Sequence, residues 1–179
     1  MSIWLYHMVP PDLIGGILYP LNQLQTILPS IYEKQIAKYQ GREWVMQQTV
    51  PILNCFWNDV VHLSLVHPSQ IVDGLRGAGF SWRHRKFFEI DPSIAGFNSE
   101  NAVIYIFEKN LIEMGKGRET NFSPYDSALL AQLAHIRPET LKYFKDMNAQ
   151  HRQPLLFMYV PHVLFRGVID IRKARTIEI

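Results

Sequence analysis

Apolar residues of this chain recur with two different periods. Near the start Ile3, Trp4, Leu5, Tyr6 and Val9 make a β-branched and aromatic run that Pro10 and Pro11 end, which predicts a strand over 3–9. Residues 12–18 hold two adjacent glycines and predict a turn or a short helix. From 21 to 39 the apolar positions Leu21, Leu24, Ile27, Leu28, Ile31, Ile36 and Tyr39 fall at helical spacing, interrupted by Pro29. Two helices are expected there, with Gly41 as their stop and a further helical turn over 42–48. A strand follows at 60–64, then a helix that begins at Pro68 and stops near Gly77 and Gly79. The clearest strands are 86–91 and 102–108, and residues 115–124 form a polar, glycine-bearing loop. Residues 129–147 are mainly helical, with Arg137-Pro138-Glu139 opening a second helix. The stretches 155–159, 167–171 and 176–179 read as closing strands. Strands early and late with helices between them indicate an α+β domain, not a regular βαβ alternation.

Composition narrows the class. The chain has 179 residues, 47% hydrophobic and 19% charged, which is one domain with enough apolar surface for a core. No apolar run is long enough to span a bilayer, and the first residues lack the basic and small-residue pattern of a signal peptide. Cys55 is the only cysteine, so an internal disulfide and a zinc site built on several thiolates are both excluded. A reducing, cytoplasmic compartment fits this usage. The formal charge of +2 is compatible with a phosphate-bearing ligand and does not by itself indicate nucleic-acid binding.

Seven histidines invite a metal reading. His62 and His67 are not joined by an acidic residue at helical spacing, and neither HExxH nor HxH occurs, so no metal ligand set is expected. Cys55 lies between Leu53 and Phe56, where burial keeps a thiol protonated and inert. Trp4, Trp57 and Trp82 read as packing residues, not as stacking platforms.

A sharper constellation is spread along the chain. Leu5-Tyr6-His7 ends the first strand and an apolar, glycine-bearing turn follows it. Val61-His62-Leu63-Ser64 comes next, then Arg83-His84-Arg85-Lys86 running into an aliphatic strand that ends in Ile90-Asp91, and late in the chain Tyr159-Val160-Pro161. This order resembles the ADP-ribosyltransferase-like superfamily, most of all the catalytic domain of the RNA 2′-phosphotransferases, and more distantly the DNA-targeting ADP-ribosyltransferase toxins. The resemblance implies a single domain over 1–179 with a split β-sheet, helical insertions at about 20–50 and 110–150, and NAD as substrate.

By that resemblance His7 binds ribose hydroxyls with Tyr6 beside it, while the neighbouring backbone holds the nicotinamide amide. His62 packs near the nicotinamide and Ser64 bonds to it. Arg83 and Arg85 neutralise the phosphates through forked, charge-assisted bonds. Many members use a late-strand glutamate, for which Glu178 is the candidate here. The expected activity is transfer of ADP-ribose to an acceptor such as a nucleic acid or a phosphorylated molecule, with His7, His62 and Glu178 as the catalytic group. Two rivals come from other classes: a non-catalytic binding or interaction module on the same fold, and a histidine-ligated metal hydrolase.

Overall fold

A computed structural model of the chain describes residues 3–93, 95–109 and 118–179. Seven strands form one antiparallel sheet: β1 (Leu5–Met8), β5 (Val61–Ser64), β6 (Lys86–Ile90), β7 (Ala102–Tyr105), β8 (Phe122–Pro124), β9 (His162–Phe165) and β11 (Arg175–Glu178). Their order across the sheet is β11-β6-β1-β5-β9-β7-β8. Two short pairs stand apart from it, β2 (Ile17–Leu18) with β10 (Ile169–Asp170), and β3 (Thr49–Val50) with β4 (Cys55–Phe56). The helices are α1 (Leu21–Ile27), α2 (Pro29–Ile36), α3 (Pro68–Gly77), α4 (Ser127–Leu133) and α5 (Pro138–Ala149). The chain is therefore mixed α+β with a large antiparallel sheet, and no helix among the described residues is long and apolar enough to cross a membrane.

Alternation along the strands sorts residues onto two faces. One face turns Leu5, Leu63, Phe88, Ile90, Ile104 and Val163 into the largest buried cluster. On the other face one row runs in register across all seven strands: Arg175, Glu89, Tyr6, Ser64, His162, Tyr105 and Phe122. Beyond that row Leu164 and Val103 pack with Val50, Leu53 and Val60, while α3 and α5 bury Ile71, Leu75 and Phe144 together. Gly74 allows that helix contact, because a Cβ there would stand 2.8 Å from the Leu141 side chain.

Local expectations and structure differ at three places. Residues 155–159 form turns instead of a strand, with Tyr159 at φ 61 and bonds from Met158 N to Leu155 O and from Val160 N to Phe157 O. The strand starts after Pro161, whose missing N–H is tolerated at that position, so His162–Phe165 takes the central place beside β5. Residues 11–12 and 15–16 form turns, one of the two forms expected there, but Ile17–Leu18 beyond the glycines is a strand paired with Ile169–Asp170. Of the loop expected over 115–124, residues 115–117 lie outside the described residues and Phe122–Pro124 forms an edge strand on β7. The expected insertion over 110–150 likewise has residues 110–117 outside the described residues; its described part contains α4 and α5.

The seam between β1 and β5 differs from the rest of the sheet. Four register pairs join β1 to β6 and four join β5 to β9, but β1 and β5 share only Tyr6–Ser64. Val9 N bonds to Lys86 O and Leu65 N to Pro161 O, so odd-numbered residues of both strands point away from the seam. Antiparallel alternation then turns the N–H and C=O of Met8 and His62 toward it. Past Tyr6–Ser64 the two strands part, and the two faces of the sheet meet at the opening.

Candidate functional site

A cavity of about 940 Å³ lies at this opening. That is the upper part of the size range of sites for drug-sized ligands and cofactors. His7 reaches it from β1, His62 from β5 and His162 from β9. His7 belongs to the opposite sheet face from His62 and His162, so only the parted seam lets one cavity touch all three.

Each imidazole is half-buried in residue area, with what remains exposed facing the cavity, and each is held neutral. Burial is the main cause: it lowers His7 to about 4, His62 to about 3 and His162 to about 4. Backbone carbonyls oppose the shift at His62 and His162 and set their tautomers. His62 Nε2 donates to Trp57 O at 2.9 Å and His162 Nδ1 donates to Val160 O at 2.7 Å. A carbonyl only accepts, so His62 keeps a lone pair on Nδ1 and His162 keeps one on Nε2.

Two buried polar atoms in the wall lack a partner. His7 Nδ1 is one: it has the Met8 backbone nearby, which works against the effect of burial, but no hydrogen bond of good geometry. Asn58 Nδ2 is the other, on a residue only 2% exposed whose Oδ1 accepts from Tyr39 OH at 2.9 Å. Buried polar groups are almost always paired in folded proteins, so these two are exceptions, both on residues that line the cavity.

Aromatic rings line the same wall. Trp57 packs on His62 with centroids 4.5 Å apart and meets Tyr105 edge-on at 5.0 Å, while Phe157 lies 5.8 Å from the His162 ring. Trp57 is thus part of the cavity wall and not only a packing residue. The cations of the wall are Lys38 and Arg42. The Lys38 ammonium lies 5.1 Å from the centre of the Tyr39 ring, and burial followed by the Arg42 charge lowers its pKa. Arg42 Nη2 bonds to Lys38 O at 2.8 Å, which fixes the two heads on one side of the turn. Of the carboxylates at the wall, Asp12 pairs with Lys34 at 3.6 Å and Glu119 stands exposed.

Other residues singled out by the sequence are placed elsewhere. Tyr6 faces away from His7 and bonds to Glu89; burial and that carboxylate push its phenol up to about 12. Ser64 is buried, donates to Val66 O at 2.9 Å and accepts from Val66 N at 3.1 Å, so both its functions are used internally. Arg83 and Arg85 are exposed outside the cavity lining, and the Arg85 guanidinium rests 5.7 Å from the Trp82 ring. Glu178 is exposed on β11, paired in register with Lys86. The cavity therefore unites His7 with His62 and leaves Tyr6, Ser64, Arg83, Arg85 and Glu178 outside its wall.

His162, Asn58, Lys38, Arg42 and Glu119 are the wall residues that sequence reasoning missed. Only the spacing of Lys38 and Arg42 on a helical pattern offered a signal. Among the described residues no group of three or more histidine, cysteine, aspartate or glutamate side chains is placed to hold a metal ion. No family model, curated protein or solved structure matches the chain.

Proposed function

We propose that the cavity binds NAD and that the protein transfers its ADP-ribose to a second substrate, on a split sheet of the ADP-ribosyltransferase-like kind. The observation that carries this reading is the parted β1–β5 seam, where the histidines of the LYH and VHLS segments reach one cavity that contains two orphaned polar atoms. A ribose diol both donates and accepts, and so it suits the neutral His7 ring in either tautomer. The backbone of His62, which lines the cavity at the seam, suits a carboxamide, which offers one donor and one acceptor side. Lys38 and Arg42, in place of Arg83 and Arg85, supply positive charge for a pyrophosphate.

Neutral imidazoles fit the chemistry. As the bond from ribose C1′ to nicotinamide breaks, its electron pair goes to the ring nitrogen, and the cationic ring leaves as neutral nicotinamide. Positive charge then builds on the sugar, which a protonated histidine nearby would repel. The acceptor oxygen or nitrogen forms the new bond to C1′ and gives up its proton to a base. Glu119, at the wall, takes that role in place of Glu178.

The test is ligand linkage. With a dissociation constant near 10 μM, ~1 mM NAD should stabilise the fold by roughly 2.7 kcal/mol, a melting shift of about 5–10 °C. His7→Ala should lose most of that shift and still fold. A flat titration with both NAD and ADP-ribose would remove the reading. Binding without nicotinamide release under any acceptor would leave the non-catalytic module.

A further inference from the structure

The cavity has two unlike walls, and the polar parts of a dinucleotide match the sheet wall and the 38–42 turn but not the aliphatic helices before that turn. The sheet wall carries three imidazoles and the Asn58 amide. Facing it, Leu21, Leu24, Leu28 and Ile31 of the α1–α2 layer all line the cavity. No residue of α1 is buried, and α2 buries only Ile31. The layer's aliphatic side chains thus border open space where a surface helix ordinarily packs on a core. Leu13 and Leu18 continue this wall, and Trp44, 53% exposed, carries it to the mouth.

An aliphatic wall offers no hydrogen bond to riboses or pyrophosphate, which are polar along their whole length. It stabilises a ligand only by removing apolar atoms from water. A folded protein or a nucleic acid strand would use the outer surface, whereas this wall lies inside a cavity of small-molecule size.

We propose that the α1–α2 wall binds the apolar body of a small amphipathic acceptor, whose nucleophilic end reaches across to the imidazole wall. The role as acceptor rests on the NAD reading above; the apolar site itself does not. N-phenyl-1-naphthylamine, an uncharged dye that brightens in apolar surroundings, tests it on the full chain.

Saturable micromolar binding is expected, undiminished by ~1 mM NAD, because the dye sits on residues 21–31 while NAD uses the sheet wall and the 38–42 turn. Leu24→Gln should weaken dye binding roughly tenfold, the worth of one aliphatic contact surface. Leu24→Trp should weaken it similarly by filling the space, with no polar group introduced. His7→Ala should leave the dye affinity unchanged.

Absence of dye binding overturns the proposal. So does displacement of the dye by NAD, and so does wild-type affinity in both Leu24 variants once circular dichroism shows them folded. Dye binding in a chain that shows no NAD-dependent melting shift upholds the apolar site and removes the NAD reading. An NAD shift without dye binding does the reverse.

Discussion

Three imidazoles kept neutral in one cavity wall make the fold sensitive to mild acid. In the folded chain His7 and His162 take up a proton only near pH 4 and His62 only near pH 3, because burial penalises the charged ring. In the unfolded chain each titrates near 6.5. As pH falls from 6.5 toward 4 the unfolded state binds more protons than the folded one. Stability from these groups is therefore complete above 6.5 and is lost progressively through that window. Between pH 7 and pH 5 each site contributes roughly 2 kcal/mol, and the three together about 5–6 kcal/mol. That is a large part of the roughly 5–15 kcal/mol that holds a typical domain folded. Asp170, held down to about 2 chiefly by its hydrogen bonds with Arg172, stays charged across the window and adds nothing to the slope. Urea denaturation at pH 7, 6 and 5 reads the effect directly. With a slope near 2 kcal/mol per molar, the midpoint should fall by about 2–3 M. His7→Asn should flatten the dependence by about a third, since it removes one of the three depressed imidazoles. A midpoint that stays level from pH 7 to pH 5 would refute the reasoning and show that water in the cavity solvates the rings as freely as bulk solvent.

Lys38→Ala and Arg42→Ala should each weaken NAD binding, with an effect that shrinks as salt rises, while the Arg83→Ala and Arg85→Ala variants bind as wild type. Isothermal titration at two ionic strengths separates the two pairs; the opposite pattern would move the phosphate site to the start of β6. Glu119→Gln should cut nicotinamide release steeply with little change in NAD affinity, and Glu178→Gln should do neither. A kinetic loss confined to Glu178→Gln would contradict the placement of the base at the cavity wall.

The sheet strands with apolar or alternating runs were legible because burial on one or both faces leaves its period in the sequence. Leu5–Met8, Val61–Ser64, Lys86–Ile90 and Ala102–Tyr105 all stand within the strands expected there. The run 155–159 carries an equally strong apolar signal and still forms turns. Leu155, Leu156, Phe157, Met158 and Tyr159 all line the cavity, so their hydrophobicity serves a wall and not a ladder. Composition alone does not distinguish the two uses. His162 was missed for the same reason, because the strand that positions it starts one proline later than the apolar run suggests.

The cations of the cavity wall do not come from the dense basic run of the sequence. Arg83, His84, Arg85 and Lys86 stand together in sequence, but they approach the outer edge of the sheet, where Arg85 N and O bond to Ile179 and Trp82 Nε1 donates to Ile179 O. These basic side chains are exposed at the start of β6, between the edge strand β11 and β1, and a solvated basic run there needs no ligand. Lys38 and Arg42 are only two charges, one helical turn apart, in a segment whose apolar residues face the cavity. Their significance comes from what that segment covers. Nothing local to residues 21–42 states that the layer lies over the β1–β5 seam; it is held there by Asn22 donating to Asp59 at 2.7 Å and by Tyr39 donating to Asn58. Those two contacts join the helical layer to the turn that leads into the His62 strand. The placement of charge at the cavity is thus set by a few long-range polar contacts, which leave no period in the sequence from which it could be read.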